Sequence, residues 1–270
     1  MFTYIPNRVL LEIGPLTVHW YGLLVVTGFL VGFSVFYYLF KKYQLKTDGA
    51  YNLFFYTIIF GLIGARVYYI FYAWSYYSQH PLDILKVWQG GLAIHGAIIA
   101  AVVVIYFYSK KKGWSVWLIT DLAATALPLS LAIGRWGNYF NQELFGRPTD
   151  LPWGIPVAVV SRPAEFINFT HFHPTFLYEF ILDLILFGIL MFIHFRKFRN
   201  QKLEIRNWKS GNITLLFLFG YSLIRFLMEF LRVDYSPVFW GMRWAQLVSL
   251  IIMVAVIIFW FIRKKKFLRI

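Results

Sequence analysis

The sequence predicts an all-α polytopic membrane protein of about seven transmembrane helices, with the N-terminus outside and the C-terminus cytoplasmic. Three observations carry this expectation. The 270 residues are 60% hydrophobic and 21% aromatic but only 14% charged, far from the balance of a water-soluble domain. Apolar runs of the roughly 20 residues that a bilayer crossing needs recur along the chain. The basic residues gather in alternate loops, as cytoplasmic loops do.

The runs fall near 17–40, 51–73, 92–108, 117–133, 174–195, 211–230 and 243–262. The first is too long for a signal-peptide core, and Lys41 and Lys42 follow it, so it reads as a retained span. The fourth is the weakest. Asp121 and Pro128 interrupt it, leaving either a span or a broken, re-entrant piece buried by protein. The loops after spans one, three, five and seven hold seventeen of the 26 basic residues, including 110–112, 196–209 and 263–269. Tryptophans 20, 74, 114, 117, 136, 240 and 244 lie near span ends, where an interfacial belt sits.

The net charge of +14 belongs mostly to these short loops, so it sets topology and attracts anionic lipid rather than nucleic acid. The chain has no cysteine, so any thiol in its chemistry must come from a substrate. No internal repeat is visible, which speaks against an inverted-repeat transporter. The whole chain, 1–270, reads as one membrane domain. A Pro-, Gly- and Asn-rich segment at about 134–172 and a second at 75–91 lie outside, the latter as a short interfacial piece.

Charged side chains at membrane depth cost about 2.5–3.5 kcal/mol each on insertion scales and are functional candidates by default. Here they are Arg66, His95, Asp121, Arg135, Glu143, Glu179, Asp183, Arg225 and Glu229, most toward the outer half of the bilayer. Arg135 and Asn138 would share a face in a helical turn, and Gly134 and Gly137 would admit a headgroup close to the backbone. Either Arg135 and Glu143 pair to hold a loop, or the guanidinium waits for a phosphate diester. Tyr221, Arg225, Glu229 and Arg232 would form one stripe on the sixth span, either an ion-pair ladder or the wall of a wet cavity. His95 is either a hydrogen-bonded structural residue or a base with a pKa suited to a thiol. His171 and His173 match no metal-site spacing, so neither metal nor cofactor is expected. From residues alone, an anion transporter and a structural membrane protein also remain open.

The run Gly134-Arg135-Trp136-Gly137-Asn138-Tyr139-Phe140-Asn141-Gln142-Glu143-Leu144-Phe145-Gly146 closely resembles the signature of prolipoprotein diacylglyceryl transferases. His95-Gly96, His173-Pro174-Thr175-Phe176-Leu177-Tyr178-Glu179 and the Tyr221, Arg225, Glu229 spacing match further family elements in order. Ala97 stands where many members have a second glycine, and Phe176 where they commonly have Gln. The resemblance implies an enzyme of the bacterial cytoplasmic membrane with its site toward the outer face. It would move the sn-1,2-diacylglyceryl group of phosphatidylglycerol to the lipobox cysteine of a prolipoprotein signal peptide, forming a thioether and releasing glycerol-1-phosphate. It implies catalytic roles for His95, Arg135, Glu143 and Arg225, with His95 the first candidate for the base and Glu143 the second. It also implies lipid binding by Tyr21, Arg135, Asn138, Gly146, Tyr221, Arg225 and Glu229.

Overall fold

The computed structural model describes residues 3–14, 16–199 and 210–267. Part of the basic segment at 196–209 and the last residues of the chain lie outside them. Two compact units are present, Met1–Val35 with Ala124–Ile270, and Phe36–Ala123; the boundary falls inside two helices.

Among the described residues, a hairpin of β1 (Val9–Ile13) and β2 (Leu16–His19) leads into α1 (Trp20–Lys42). Helix α2 (Asp48–Tyr72), the single turn α3 (Trp74–Tyr77) and two short 3-10 turns precede α4 (Ile94–Lys111). Then come α5 (Val116–Asn141), the two-residue pair β3 (Ile155–Pro156) and β4 (His171–Phe172), α6 (Thr175–Arg199) and α7 (Asn212–Met228). A tight hairpin of β5 (Val238–Phe239) and β6 (Met242–Arg243) opens α8 (Trp244–Phe267). Helices α1, α2, α4, α5, α6 and α8 are long and apolar enough to cross a membrane, and α7, at 17 residues, is apolar but shorter. The chain is a helical, multi-pass membrane protein. Leu23, Val26 and Phe29 on α1, Ile98 and Val102 on α4, and Ile251 and Val254 on α8 are exposed, as lipid-facing residues are.

Two expectations change. Helix α5 is continuous through Asp121 and Pro128 and ends at Asn141, so the first eight residues of the 134–146 signature are helical. Its 26 residues extend about 39 Å, more than the roughly 30 Å of hydrocarbon, and one missing proline N–H does not break so long an element. Helix α7 ends at Met228, so Arg232 is not on the helical stripe. Its backbone instead forms a bridge to Gly146.

Small residues set the helix contacts. In the first unit a Cβ on Gly28 would lie 2.9 Å from the Ser130 carbonyl oxygen, which brings α1 against α5. In the second unit a Cβ on Gly64 would lie 2.6 Å from the Gly96 carbonyl oxygen, and one on Gly96 would strike Gly64 and Tyr68. The glycine after His95 therefore serves the close approach of α2 and α4.

Arg66 proves structural. Its guanidinium donates to the carbonyls of Asp83 at 2.5 Å, Gly90 at 2.6 Å, Ile84 at 2.9 Å and Gly91 at 3.0 Å, and it stacks 5.2 Å from the Tyr77 ring. This buried cation thus pins the 75–91 segment to α2 with donors no neutral side chain could supply. Arg66→Met should lower stability by about 2–4 kcal/mol and open residues 81–91 to protease, read by thermal unfolding and limited digestion in detergent. An unchanged midpoint and digestion pattern would contradict this.

Candidate active site

The signature turn begins where α5 ends. Asn138 donates from Nδ2 to Glu143 Oε1 at 2.8 Å, while the Glu143 N–H returns to the Asn138 carbonyl at 3.1 Å. This brace closes a helix end that would otherwise leave carbonyls unsatisfied. Gln142 and Leu144 adopt left-handed φ values of 54° and 56°, a costly conformation for residues with a Cβ. Partners hold both: Gln142 Oε1 accepts the Ala158 N–H at 2.7 Å, and the Leu144 carbonyl accepts the Thr175 hydroxyl. Gly146 is needed for room. A Cβ there would come 2.7 Å from His173 Cβ and 3.0 Å from Thr175 Cγ2. The same residue donates its N–H to the His173 carbonyl at 2.9 Å, so it joins the signature to the start of α6.

One turn into α6, Glu179 is 1% exposed and lies at the centre of a charge lattice. Arg135 Nη2 reaches its Oε2 at 2.6 Å, and Arg232 Nη2 its Oε1 at 2.5 Å. Asp183, one turn further and fully buried, lies 3.7 Å from Arg135 Nε. A second buried carboxylate repeats the pattern. Arg225 Nη1 lies 2.7 Å from Glu229 Oε2, and Arg243 Nε 2.9 Å from Glu229 Oε1. Arg243 also donates to the Arg232 carbonyl at 2.5 Å and to the Asp234 carbonyl. Tyr221 lies near Arg135, on the face of α7 that carries Arg225. Four guanidinium groups and three buried carboxylates therefore form one continuous lattice across α5, α6, α7 and the segment from Arg232 to β6.

Arg135 thus pairs with Glu179 and Asp183, and the Arg135–Glu143 pair that the sequence allowed does not form. Glu143 is exposed and faces a cavity of about 550 Å³, lined also by Arg8, His19, Asn141, Ser161 and Asp234. Arg8 donates to Ser161 Oγ at 2.9 Å on the cavity's rim. Tyr21 feels the charges of both Glu143 and Arg135, and its ring fills the space beside Gly137, where a Cβ would lie 2.8 Å away. Gly137 consequently admits a tyrosine, whereas Gly134 faces open space. Phe176 stacks on Tyr139 at 4.7 Å and meets Trp136 edge-on at 5.3 Å, which accounts for an aromatic there. His173, outside the spans, contacts the Tyr178 hydroxyl at 3.1 Å, and its burial lowers the imidazole pKa. His95 belongs to the second unit, where it is exposed and stacked on Tyr68.

A family model for prolipoprotein diacylglyceryl transferase matches residues 8–262. The chain belongs to that family. A phosphatidylglycerol–prolipoprotein diacylglyceryl transferase of Nostoc sp. is 44% identical over 245 residues, 91% of this chain and 85% of its own length. Enzymes of the same name from Synechococcus elongatus and Fervidobacterium nodosum are 39% and 41% identical, over 91% and 89% of this chain and 83% and 80% of their own.

Arg135, Tyr221, Arg225 and Glu229 thus meet in one lattice, while Asn138, Glu143 and Gly146 build the adjoining turn. Arg243 joins the lattice without any motif to mark it, and Arg232 lies beyond the end of α7 rather than on its stripe. A count of charges would have found them. Glu179, Asp183 and Glu229 in the spans outnumber Arg135 and Arg225, so further cations had to come from flanking residues. Gly146→Ala should displace His173 and Thr175, and with them the start of α6, reducing turnover at least about tenfold in a folded protein. Unchanged turnover in that variant would show that the turn tolerates the extra methyl and does not set the site.

Proposed function

We propose how this chain works as a phosphatidylglycerol–prolipoprotein diacylglyceryl transferase, an enzyme that moves a diacylglyceryl group from phosphatidylglycerol to a prolipoprotein. The observation that carries the proposal is the pair Arg135 and Arg225. Each is partly exposed and held along one edge by a buried glutamate, with side-chain exposures of 13% and 23%. A guanidinium so held keeps donors in a fixed orientation for a phosphate diester.

In the proposed reaction the lipobox cysteine loses its proton, because the thiolate is the nucleophile. On residue chemistry the base is His95 first and Glu143 second. The sulfur attacks the diacylglycerol carbon that carries the phosphate. The C–S bond forms as the C–O bond breaks, and glycerol-1-phosphate departs with the bonding pair. Arg135 and Arg225 stabilise the charge that grows on the phosphate. Asn138 keeps Glu143 at the turn, and Tyr21 and Tyr221 flank Arg135. Seven crossings, with α7 the shortest, would place the N-terminus and this site at the outer face of the bacterial cytoplasmic membrane. The C-terminus would then be cytoplasmic, in keeping with the basic loops. The cysteine would sit in a signal peptide already in the bilayer.

Arg135→Ala should lose at least about 10²-fold in transfer to a single-cysteine lipobox peptide, while the purified protein stays monodisperse and folded. Arg135→Lys should be nearly as poor, because an ammonium cannot offer two parallel donors. Wild-type rates in either variant would sink the assignment.

A further inference from the structure

The lattice has a regularity that its individual pairs do not reveal. Glu179 gives one carboxylate oxygen to Arg135 and the other to Arg232. Glu229 gives one oxygen to Arg225 and the other to Arg243. In both, a more exposed arginine shares its glutamate with a second arginine tied into the fold. Arg232 has only 4% of its side chain exposed. Arg243 is held by the carbonyls of Arg232 and Asp234 and lies 3.6 Å from the Asp234 carboxylate.

An isolated glutamate beside an arginine prefers to bind it through both oxygens, fork to fork. That arrangement would use two donors of Arg225 and cancel its charge within the pair. With Arg243 on Oε1, Glu229 meets Arg225 through Oε2 alone. Glu229 therefore engages Arg225 through Nη1 alone and does not spend a second donor of that guanidinium.

We infer that Arg243 is a positioning residue that occupies one oxygen of Glu229 and so keeps a donor edge of Arg225 free for an anionic phosphodiester headgroup. The inference rests on the proposed role of Arg225 in lipid binding. Arg243 itself touches no substrate, and it ends β6, immediately before α8 and away from the signature motif. Arg232 occupies the equivalent place on Glu179, which makes the device a repeated one.

The test uses the full-length protein in detergent and two readouts, the affinity for phosphatidylglycerol in mixed micelles and the transfer rate. Arg243→Met should weaken phosphatidylglycerol binding at least about tenfold, because Glu229 then closes on Arg225 through both oxygens. Adding Glu229→Gln to that variant should recover at least about threefold of the lost affinity, since a neutral amide neither chelates nor neutralises Arg225. A merely structural Arg243 predicts the opposite, with the double variant binding no better than Arg243→Met alone, and that outcome overturns the inference. If Arg243→Met does not fold, Arg243→Lys replaces it. Lysine can hold Oε1 through its charge, so it should retain affinity within about threefold of wild type, and a loss as deep as that expected of methionine overturns the inference. The two readouts separate the failures. Affinity changes of the expected sign without any transfer by the wild-type protein would contradict the reaction but leave the lattice argument standing.

Discussion

The burial of two glutamates, Glu179 and Glu229, is the constraint from which the rest of this site follows. Each is 1% exposed, in a chain whose surroundings offer little water to solvate a charge. Buried carboxylates must be paired, and removing a partner from such a pair costs about 3–5 kcal/mol. The fold therefore has to bring cations to them, and it does so from four places in the sequence. Arg135 comes from the end of α5, Arg225 from α7, Arg232 from the segment after it and Arg243 from β6, just before α8. The short α7 and the β5–β6 hairpin follow from this. If α7 continued past Met228, the Arg232 backbone would stay in the helix and could not bridge to Gly146.

The signature turn serves the same end by a different route. It contains two residues in the left-handed region, lines the cavity of about 550 Å³ with residues 141–145, and packs Phe145 against Val157 and Phe172. Its rigidity comes from polar braces, Asn138 to Glu143, Gln142 to Ala158 and Thr175 to Leu144. Those braces hold the end of α5 against the beginning of α6, which fixes the separation between Arg135 and Glu179. Strain concentrated at a chemical site and balanced by hydrogen bonds is a recurring arrangement in enzymes.

Much of this was legible in the chain. The hydrophobic runs gave the six long helices and the shorter seventh because bilayer thickness imposes a length that composition alone reveals. Arg135, Asn138 and Arg225 stood out because charged and amide groups are costly in apolar runs. Other features were not legible, for physical reasons that differ from residue to residue. Pro128 reads as a breaker by local propensity, yet a 26-residue helix packed through Gly28 tolerates it. Arg66 has the same sequence signal as Arg135, an arginine in an apolar span. Only the three-dimensional path of 81–91 shows that backbone carbonyls consume its donors. Arg232 keeps the helical period of Tyr221, Arg225 and Glu229, but periodicity does not reveal that α7 stops at Met228. Arg243 opens the apolar run at 243–262, and nothing in its spacing points to Glu229, the carboxylate it meets.

The central property of this lattice is the transfer chemistry it supports. The most direct test is the stoichiometry of turnover by the wild-type protein with phosphatidylglycerol and a lipobox peptide carrying one cysteine. Mass spectrometry of the peptide and quantitation of free glycerol phosphate should give one diacylglyceryl gained for each glycerol phosphate released, with no product from the Cys→Ser peptide. Glycerol phosphate released without peptide modification, or a peptide that stays unmodified while the lipid remains bound and intact, would contradict it.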